Sequence, residues 1–242
     1  GSIQDAGAVT WMDGSIASTG VVSSSNSLIG SSTEDLIGRR RSITTLSNGN
    51  YVIHSPNWDN GSIQDAGAVT WMDGSIASTG VVSSSNSLIG QAVDDFRSLN
   101  VNRLSNGNYV LTNSSWDNGS ISNAGAITWV NGNIGITGII TSSNSLIGSH
   151  NNDLLGMGLS RGGHFTELSN GNYVVISARW NNTAGAVTWG QGNTPLSGIL
   201  SSSNSLTGSA SGSYVGALTF YENSASLYGG VIELENSNYL VT

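Results

Sequence analysis

Short runs of alternating apolar and polar residues, separated by Gly, Asn and Ser, recur along the whole chain. In the segment 31–90, residues 42–46 alternate and include β-branched side chains, which predicts a strand. Residues 47–50 interrupt this strand, and the Asn-Gly pair within them is the strongest short-range signal for a hairpin. Residues 51–54 form the returning strand, which Pro56 ends because proline cannot donate to a ladder.

Two more strands are predicted in the same segment. Residues 66–71 form a third strand, and its small residues allow a neighbouring element to approach closely. Asp73-Gly74 marks a turn, a fourth strand opens at 80–82, and residues 86–90 close the unit. No part of the segment has the period of a helix, so we expect four antiparallel strands and a helix content near zero.

This unit is repeated. Residues 1–30 and 61–90 are identical, and the hexamer AGA(V/I)TW begins at Ala6, Ala66, Ala124 and Ala184. Tandem units of this length indicate a repeat architecture in which each unit buries an apolar face against its neighbour. We therefore expect one repeat domain over residues 1–242. The predicted repeats, the last of which diverges, are 1–60, 61–118, 119–182 and 183–242.

Four antiparallel strands per unit are the plan of a β-propeller blade, so the predicted fold is an all-β propeller of four blades. The chain starts before a third strand and stops on a second strand. We therefore expect the N- and C-terminal strands to pair and close the ring, with residues 1–30 and 209–242 sharing a blade. The alternatives are a segment of a larger propeller and a β-solenoid, whose coils usually have about half this period.

Composition excludes several classes of function. The net charge is −8 and only 9% of residues are charged, so the chain lacks the cations that nucleic-acid binding requires. There is no Cys, which excludes disulfides and thiol chemistry. No apolar stretch approaches the length of a membrane span. We expect an extracellular or cell-surface bacterial protein, either processed or cut from a longer array.

The strand motifs resemble those of a known repeat. Ile37-Gly38, Asn48-Gly49 and His54-Ser55-Pro56 stand where FG-GAP repeats carry an FG pair, a turn and a GAP, and residues 67–71 match their last strand. FG-GAP repeats are the blades of integrin-α-type propellers. The units are also similar to the Asn- and Ser-rich repeats of bacterial filamentous-haemagglutinin-like surface proteins. Both resemblances imply a secreted or cell-surface module with a role in adhesion.

The FG-GAP calcium loop is not matched. Many such repeats carry several acidic residues between the first two strands, whereas residues 46–51 contain no carboxylate here. Calcium binds through several oxygen ligands that include acidic ones. We therefore predict no metal and no cofactor.

The candidate binding site is a set of loops that follow the second strand of each unit. Aromatic rings beside amides and carboxylates suit sugars, so the predicted ligands are a glycan or a cell-surface protein, with self-association as a further expectation. The alternative is that the Trp residues wedge between blades while the Asn and Asp residues stabilise turns. The candidate residues are Asn57, Trp58, Asp59, Asn60, Trp116, Asp117, Asn118, Trp180, Asn181 and Asn182. We expect the connections that contain Asp35, Asp94, Asp95 and Asp153 to lie on the same face.

No catalytic constellation is found in the sequence. His54, His150 and His164 occupy unrelated positions in their repeats, and no GxSxG motif is present. The predicted function is therefore non-enzymatic. It is an extracellular binding or adhesion module, with a structural spacer or a building block of a surface array or filament as the alternative.

Overall fold

A computed structural model describes residues 3–159, 164–217, 219–220, 227–228 and 230–242. Its regular structure is almost entirely β. In chain order the first strands are β1 (Ala8–Val9), β2 (Leu28–Ile29), β3 (Ile43–Thr45), β4 (Tyr51–Ser55), β5 (Ala68–Met72), β6 (Gly80–Val81), β7 (Ser87–Ile89), β8 (Leu99–Arg103), β9 (Tyr109–Asn113), β10 (Ala126–Val130) and β11 (Gly138–Ile139). The strands that follow are β12 (Leu146–Ile147), β13 (Phe165–Glu167), β14 (Tyr173–Ser177), β15 (Ala186–Gly190), β16 (Gly198–Ile199), β17 (Leu206–Thr207), β18 (Thr219–Phe220), β19 (Leu227–Tyr228), β20 (Val231–Glu233) and β21 (Tyr239–Val241).

The helix content is close to zero, as predicted. The one helical segment among the described residues is α1 (Trp180–Thr183). Asn181 and Asn182 within it have φ values of 47° and 55°, which are left-handed. The segment is therefore a turn that asparagine tolerates better than most residues.

The predicted hairpin is confirmed. β3 and β4 pair antiparallel with Ile43 opposite Ile53, and the Leu46 N–H donates to the Asn50 carbonyl at 2.7 Å. Gly49 in the connecting turn has a φ of 92°, which favours glycine. Local sequence therefore determines this part of each repeat.

The predicted pairing of the fourth strand is wrong. Gly80–Val81 does not join the sheet of its own repeat but pairs in parallel with Leu28–Ile29 of the preceding repeat. The fourth position of the sheet is taken by Ser87–Ile89, which pairs antiparallel with β5. The sheet order is consequently β3-β4-β5-β7, extended by β11 from the repeat that follows.

The addition of a strand from one repeat to the sheet of the preceding repeat is found at three places. β2 pairs in parallel with β6, β7 with β11, and β12 with β16, always with two residue pairs in register. Each repeat therefore contributes one short strand to the sheet of its predecessor. Main-chain hydrogen bonds, and not only packing, join neighbouring repeats.

The other sheets have five strands or fewer. β8, β9, β10, β12 and β16 form a sheet of the same order, and β13, β14, β15 and β17 form another. β1, β2 and β6 make three strands, while β18-β19 and β20-β21 are separate pairs. No sheet of the described residues is closed, and the predicted pairing of N- and C-terminal strands is not among these ladders. The structure therefore establishes an all-β repeat protein.

Two compact units are distinguished by their contacts. The first comprises Gly1–Arg97, Gly107–Tyr109 and Val130–Ile140, and the second Ser98–Asn106, Val110–Trp129 and Thr141–Thr242. The core of the first contains Leu28, Ile37, Ile53, Trp58, Ala68, Met72, Val82 and Ile89. The larger core cluster of the second includes Leu104, Val110, Ile127, Trp129, Leu146, Leu155, Tyr173, Val175 and Trp180. Some positions of the repeat contribute to both cores, for example Leu28 and Leu146, or Trp58 and Trp180.

Candidate functional site

The tryptophans of the predicted binding loops are buried. Trp58, Trp116 and Trp180 expose 4%, 5% and 8% of their surface. Trp58 belongs to the core of the first unit and Trp180 to that of the second. A ring with so little exposure offers no face for stacking on a sugar. The burial therefore favours the alternative interpretation, in which these tryptophans pack the repeat.

The two predicted classes of loop do meet. The buried carboxylate of Asp35 accepts a hydrogen bond of 3.0 Å from the Asp59 N–H through Oδ1. Its Oδ2 accepts from the N–H groups of Ser31 and Ser32 at 2.6 and 2.8 Å. Three main-chain N–H groups therefore supply hydrogen-bond partners to both oxygens of this buried carboxyl group. The Asp35 side chain therefore links the connection in which it lies to the loop that contains Trp58.

The same arrangement occurs in the second unit. Asp153 is buried and accepts from the N–H groups of Ser149, His150 and Asn181 at 3.0, 2.9 and 2.9 Å. The equivalent Asp95 is also buried, with Oδ2 accepting from Gln91 and Ala92. In contrast, the Asp94 side chain is 48% exposed and lies 3.4 Å from Arg97.

The polar residues of the first Trp loop contact the loop itself. Asp59 Oδ1 accepts from the Asp65 N–H at 2.9 Å, and Asn57 Nδ2 donates to the Asp65 carboxylate at 2.9 Å. Asn60 Nδ2 donates to the Gly90 carbonyl at 3.0 Å. These side chains are half-buried, and each has a structural partner.

The next loop follows this pattern and the last one departs from it. Asp117 Oδ1 accepts from the Asn123 N–H at 2.7 Å, and Asn118 Nδ2 donates to the Gly148 carbonyl at 3.3 Å. Asn181 and Asn182 lie instead in the left-handed turn of α1 with exposed side chains. They are the candidate residues that remain most accessible to a ligand.

A second site at the turn glycines was not predicted from the sequence. The Gly132 carbonyl accepts hydrogen bonds from Asn48 Nδ2, Asn50 Nδ2 and Trp71 Nε1 at 2.9, 2.8 and 2.9 Å. Asn48, Asn50 and Trp71 all lie in the unit 31–90, and Gly132 lies in the unit that follows. The signal in the sequence was the recurrence of Asn-Gly-Asn and of the Trp that ends the third strand.

The Trp bond recurs at successive junctions. Trp11 Nε1 donates to the Gly74 carbonyl at 2.9 Å, and Trp129 Nε1 to the Gly192 carbonyl at 3.1 Å. Gly192 also accepts from Asn106 Nδ2 at 2.7 Å. Trp189, at the same position of the last repeat, is 40% exposed. The Trp that ends the third strand therefore contacts the following repeat at three junctions.

Burial shifts the pKa of several tyrosine and histidine side chains. Loss of water raises the pKa of Tyr109 and Tyr173 and lowers that of His164. Burial also lowers the pKa of His54; the Phe96 carbonyl, 2.8 Å from Nε2, opposes this shift and Arg39 adds to it. No group of three or more His, Cys, Asp or Glu side chains in this part of the chain could hold a metal ion.

The comparisons with known proteins agree with the repeat architecture. Residues 1–39, 45–98, 103–157 and 167–217 match the model of a family described as "Repeat of unknown function (DUF5650)". The chain belongs to this family, of which it carries four tandem repeats. No curated protein matches the chain. The described residues include no helix with the length and apolar character needed to cross a membrane.

Proposed function

We propose that the chain is a non-enzymatic structural repeat module, a building block of an array or filament outside a bacterial cell. The observation that carries this proposal is the contact between Asp35 and the Asp59 N–H beside the buried Trp58. Residues that recur in every repeat are engaged in holding loops and neighbouring repeats together. A recurring ligand site would instead leave recurring side chains accessible.

For the arrangement of the repeats we propose a propeller, with each sheet as a blade. The order β3-β4-β5-β7 supports it, because four antiparallel strands are the plan of a blade. The FG-GAP resemblance supports the same arrangement. Small-angle X-ray scattering distinguishes it from a β-solenoid, since a compact body of 242 residues has a radius of gyration of about 18 Å. An elongated solenoid would give a clearly larger value.

The structural role is tested by adding one repeat. A variant with residues 61–118 inserted a second time, in phase, should unfold at a higher urea concentration, because each repeat adds an interface to its neighbour. The original chain and this variant should both fail to bind a broad glycan array. An insertion that lowers the unfolding midpoint would contradict the proposal.

A second candidate is the binding or adhesion module. The exposed amides of Asn181 and Asn182 favour it, because they are accessible where the equivalent residues of other loops are not. Replacing both with Gly removes the amides and preserves the left-handed backbone. Saturable binding of a glycan that this double variant abolishes, with unchanged stability, would establish the binding role and overturn the purely structural one.

A further inference from the structure

Asn-Gly pairs recur along the chain, and they are the sequence at which asparagine deamidates most readily. The main-chain nitrogen of the glycine reaches the side-chain Cγ of the asparagine easily, because glycine has no Cβ in the way. The reaction needs a glycine nitrogen and a carboxamide that can approach each other, and it needs water to complete it. The structure distinguishes the pairs on these points. They begin at Asn48, Asn60, Asn106, Asn118, Asn131 and Asn170.

The pair in the first predicted hairpin turn is held at both reacting groups. The Gly49 N–H donates to the Leu46 carbonyl at 3.2 Å. Asn48 Oδ1 accepts from the Asn50 N–H at 3.1 Å, and its Nδ2 donates to the Gly132 carbonyl at 2.9 Å. The nitrogen and the carboxamide would both have to leave these partners before they could react.

Three further pairs are held or buried. The Gly171 N–H donates to the Leu168 carbonyl at 2.8 Å, and Asn170 Oδ1 accepts from the main-chain N–H two residues further on at 3.0 Å. In the other two pairs the glycine, Gly107 or Gly132, is buried away from water. These pairs therefore lack either a free nitrogen or access to solvent.

Asn60 and Asn118 lie in a different turn, whose glycines are open. Gly61 and Gly119 are exposed, and neither N–H donates a hydrogen bond to a described residue. A Cβ built on either glycine would meet nothing within 4 Å. Among the described residues, each of the two carboxamides is held by one bond, from Nδ2 to a carbonyl at 3.0 or 3.3 Å.

We propose that Asn60 and Asn118 are sites of spontaneous deamidation in the folded protein. The Gly61 nitrogen forms a bond to Cγ of Asn60, the side-chain nitrogen leaves as ammonia, and the proton of the glycine N–H passes through water to this leaving group. Water then opens the five-membered imide at one of its two carbonyls and yields aspartate or isoaspartate. One water is consumed for each ammonia released, and no oxidant or reductant is needed. Asn118 and Gly119 react in the same way.

The modification removes a link within the repeat. Asn60 Nδ2 is the donor to the Gly90 carbonyl, thirty residues further along the chain. A carboxylate at this position cannot donate, and it brings a negative charge towards the carbonyl oxygen. We therefore expect the loop that contains Trp58 to be attached less firmly after the reaction. This inference goes beyond the proposed function and does not depend on it.

Peptide mapping by mass spectrometry tests the proposal on the intact chain. The protein is kept folded in mildly alkaline water enriched in oxygen-18, with a parallel sample unfolded in urea, and the label at each site is followed over days. Each site is compared with itself in the two samples, so the effect of the residues next to it in sequence cancels.

In the folded sample Asn60 and Asn118 should keep most of the rate that they have in urea. Asn48 and Asn170 should be slowed at least about fivefold, the factor that corresponds to the net value of one hydrogen bond. Equal slowing at all four sites would overturn the proposal. So would the absence of label at Asn60 and Asn118 in the folded protein while the same sites react in urea.

Two variants separate the reaction from its consequence. Asn60→Gln keeps an amide but must close a six-membered ring, so label at this position should disappear while Asn118 reacts as before. Asn60→Asp carries the product charge and should unfold at a lower urea concentration than the parent chain. Asn193→Asp is the matched control, because it adds the same charge at an exposed residue. Equal midpoints for the two aspartate variants would contradict the loss of a link.

Discussion

The indole N–H of Trp71 donates a 2.9 Å hydrogen bond to the carbonyl of Gly132 in the following repeat. Asn48 and Asn50 donate to the same carbonyl oxygen. Three side chains of the unit 31–90 therefore converge on one main-chain atom of the unit that follows. Together with the parallel pairing of β7 and β11, this bond attaches the two repeats to each other.

Removing the donor should weaken this junction. Trp71→Phe keeps an aromatic ring but loses the N–H, and it should lower the free energy of unfolding by about 1 kcal/mol, the usual net value of one hydrogen bond. Trp189→Phe is the control because Trp189 stands at the same position of the last repeat and is 40% exposed. Urea unfolding measures both. Equal effects at the two positions would contradict the role of the Trp71 bond.

The close approach between Gly74 and the Gly49 backbone should make substitution of Gly74 destabilising. A Cβ on Gly74 would lie 1.9 Å from the Gly49 carbonyl oxygen, so the backbone must shift to accept it. Gly74→Ala should therefore destabilise the protein by about 2 kcal/mol. Gly14 has the same neighbours in sequence, but its Cβ would meet nothing within 4 Å. Gly14→Ala should change the midpoint of thermal unfolding little, and comparable losses would refute the explanation.

The buried Asp35 side chain should be required for stability because both of its oxygens accept main-chain hydrogen bonds. In Asp35→Asn one oxygen that faces a main-chain N–H becomes an NH₂ group, which cannot accept that bond. Hydrogen bonds to charged groups contribute more than neutral ones, so we expect a loss of about 2 kcal/mol in urea unfolding. Asp94→Asn is the control, since Asp94 is exposed and its positive φ suits asparagine. If both variants were as stable as the parent, the linking role of Asp35 would be wrong.

Stability should fall in mildly acidic solution because of His54. Burial, as the largest cause, lowers the pKa of His54 below its ordinary value of about 6.5. As the pH falls below that value, the unfolded chain takes up the proton before the folded protein does, so the free energy of unfolding decreases. His54→Gln should reduce the decrease between pH 7 and pH 5, with a remainder from His164.

The parent chain, measured over the same pH range, is the control for this variant. An unchanged slope in His54→Gln would show that other groups cause the pH dependence.

Local sequence was sufficient to predict the hairpins. Asn48-Gly49 allows the positive φ that the turn needs, and this requirement does not depend on distant residues. The partner of Gly80–Val81 could not be predicted in this way. The same thirty residues give a five-residue β5 in the second repeat and a two-residue β1 in the first. Neighbouring repeats, which a local pattern does not contain, decide the difference.

The candidate site was predicted in part. The Asp35 connection and the Trp58 loop were expected on the same face, and the Asp59 N–H does contact the Asp35 carboxyl group. The availability of Trp58 to a ligand could not be decided, because an aromatic residue in a polar loop has the same sequence pattern whether its ring is exposed or buried. The role of the Gly132 carbonyl was missed because a main-chain acceptor leaves no signature of its own.

The central claim is that the preceding repeat decides how fully the thirty-residue sequence is paired and buried. Hydrogen exchange followed by NMR at low protein concentration tests it, with Val82 and Val22 as equivalent amides in identical sequences. Because the Val82 N–H is bonded to the preceding repeat, it should exchange about a hundredfold more slowly than that of Val22. Equal exchange rates at the two amides would contradict the claim.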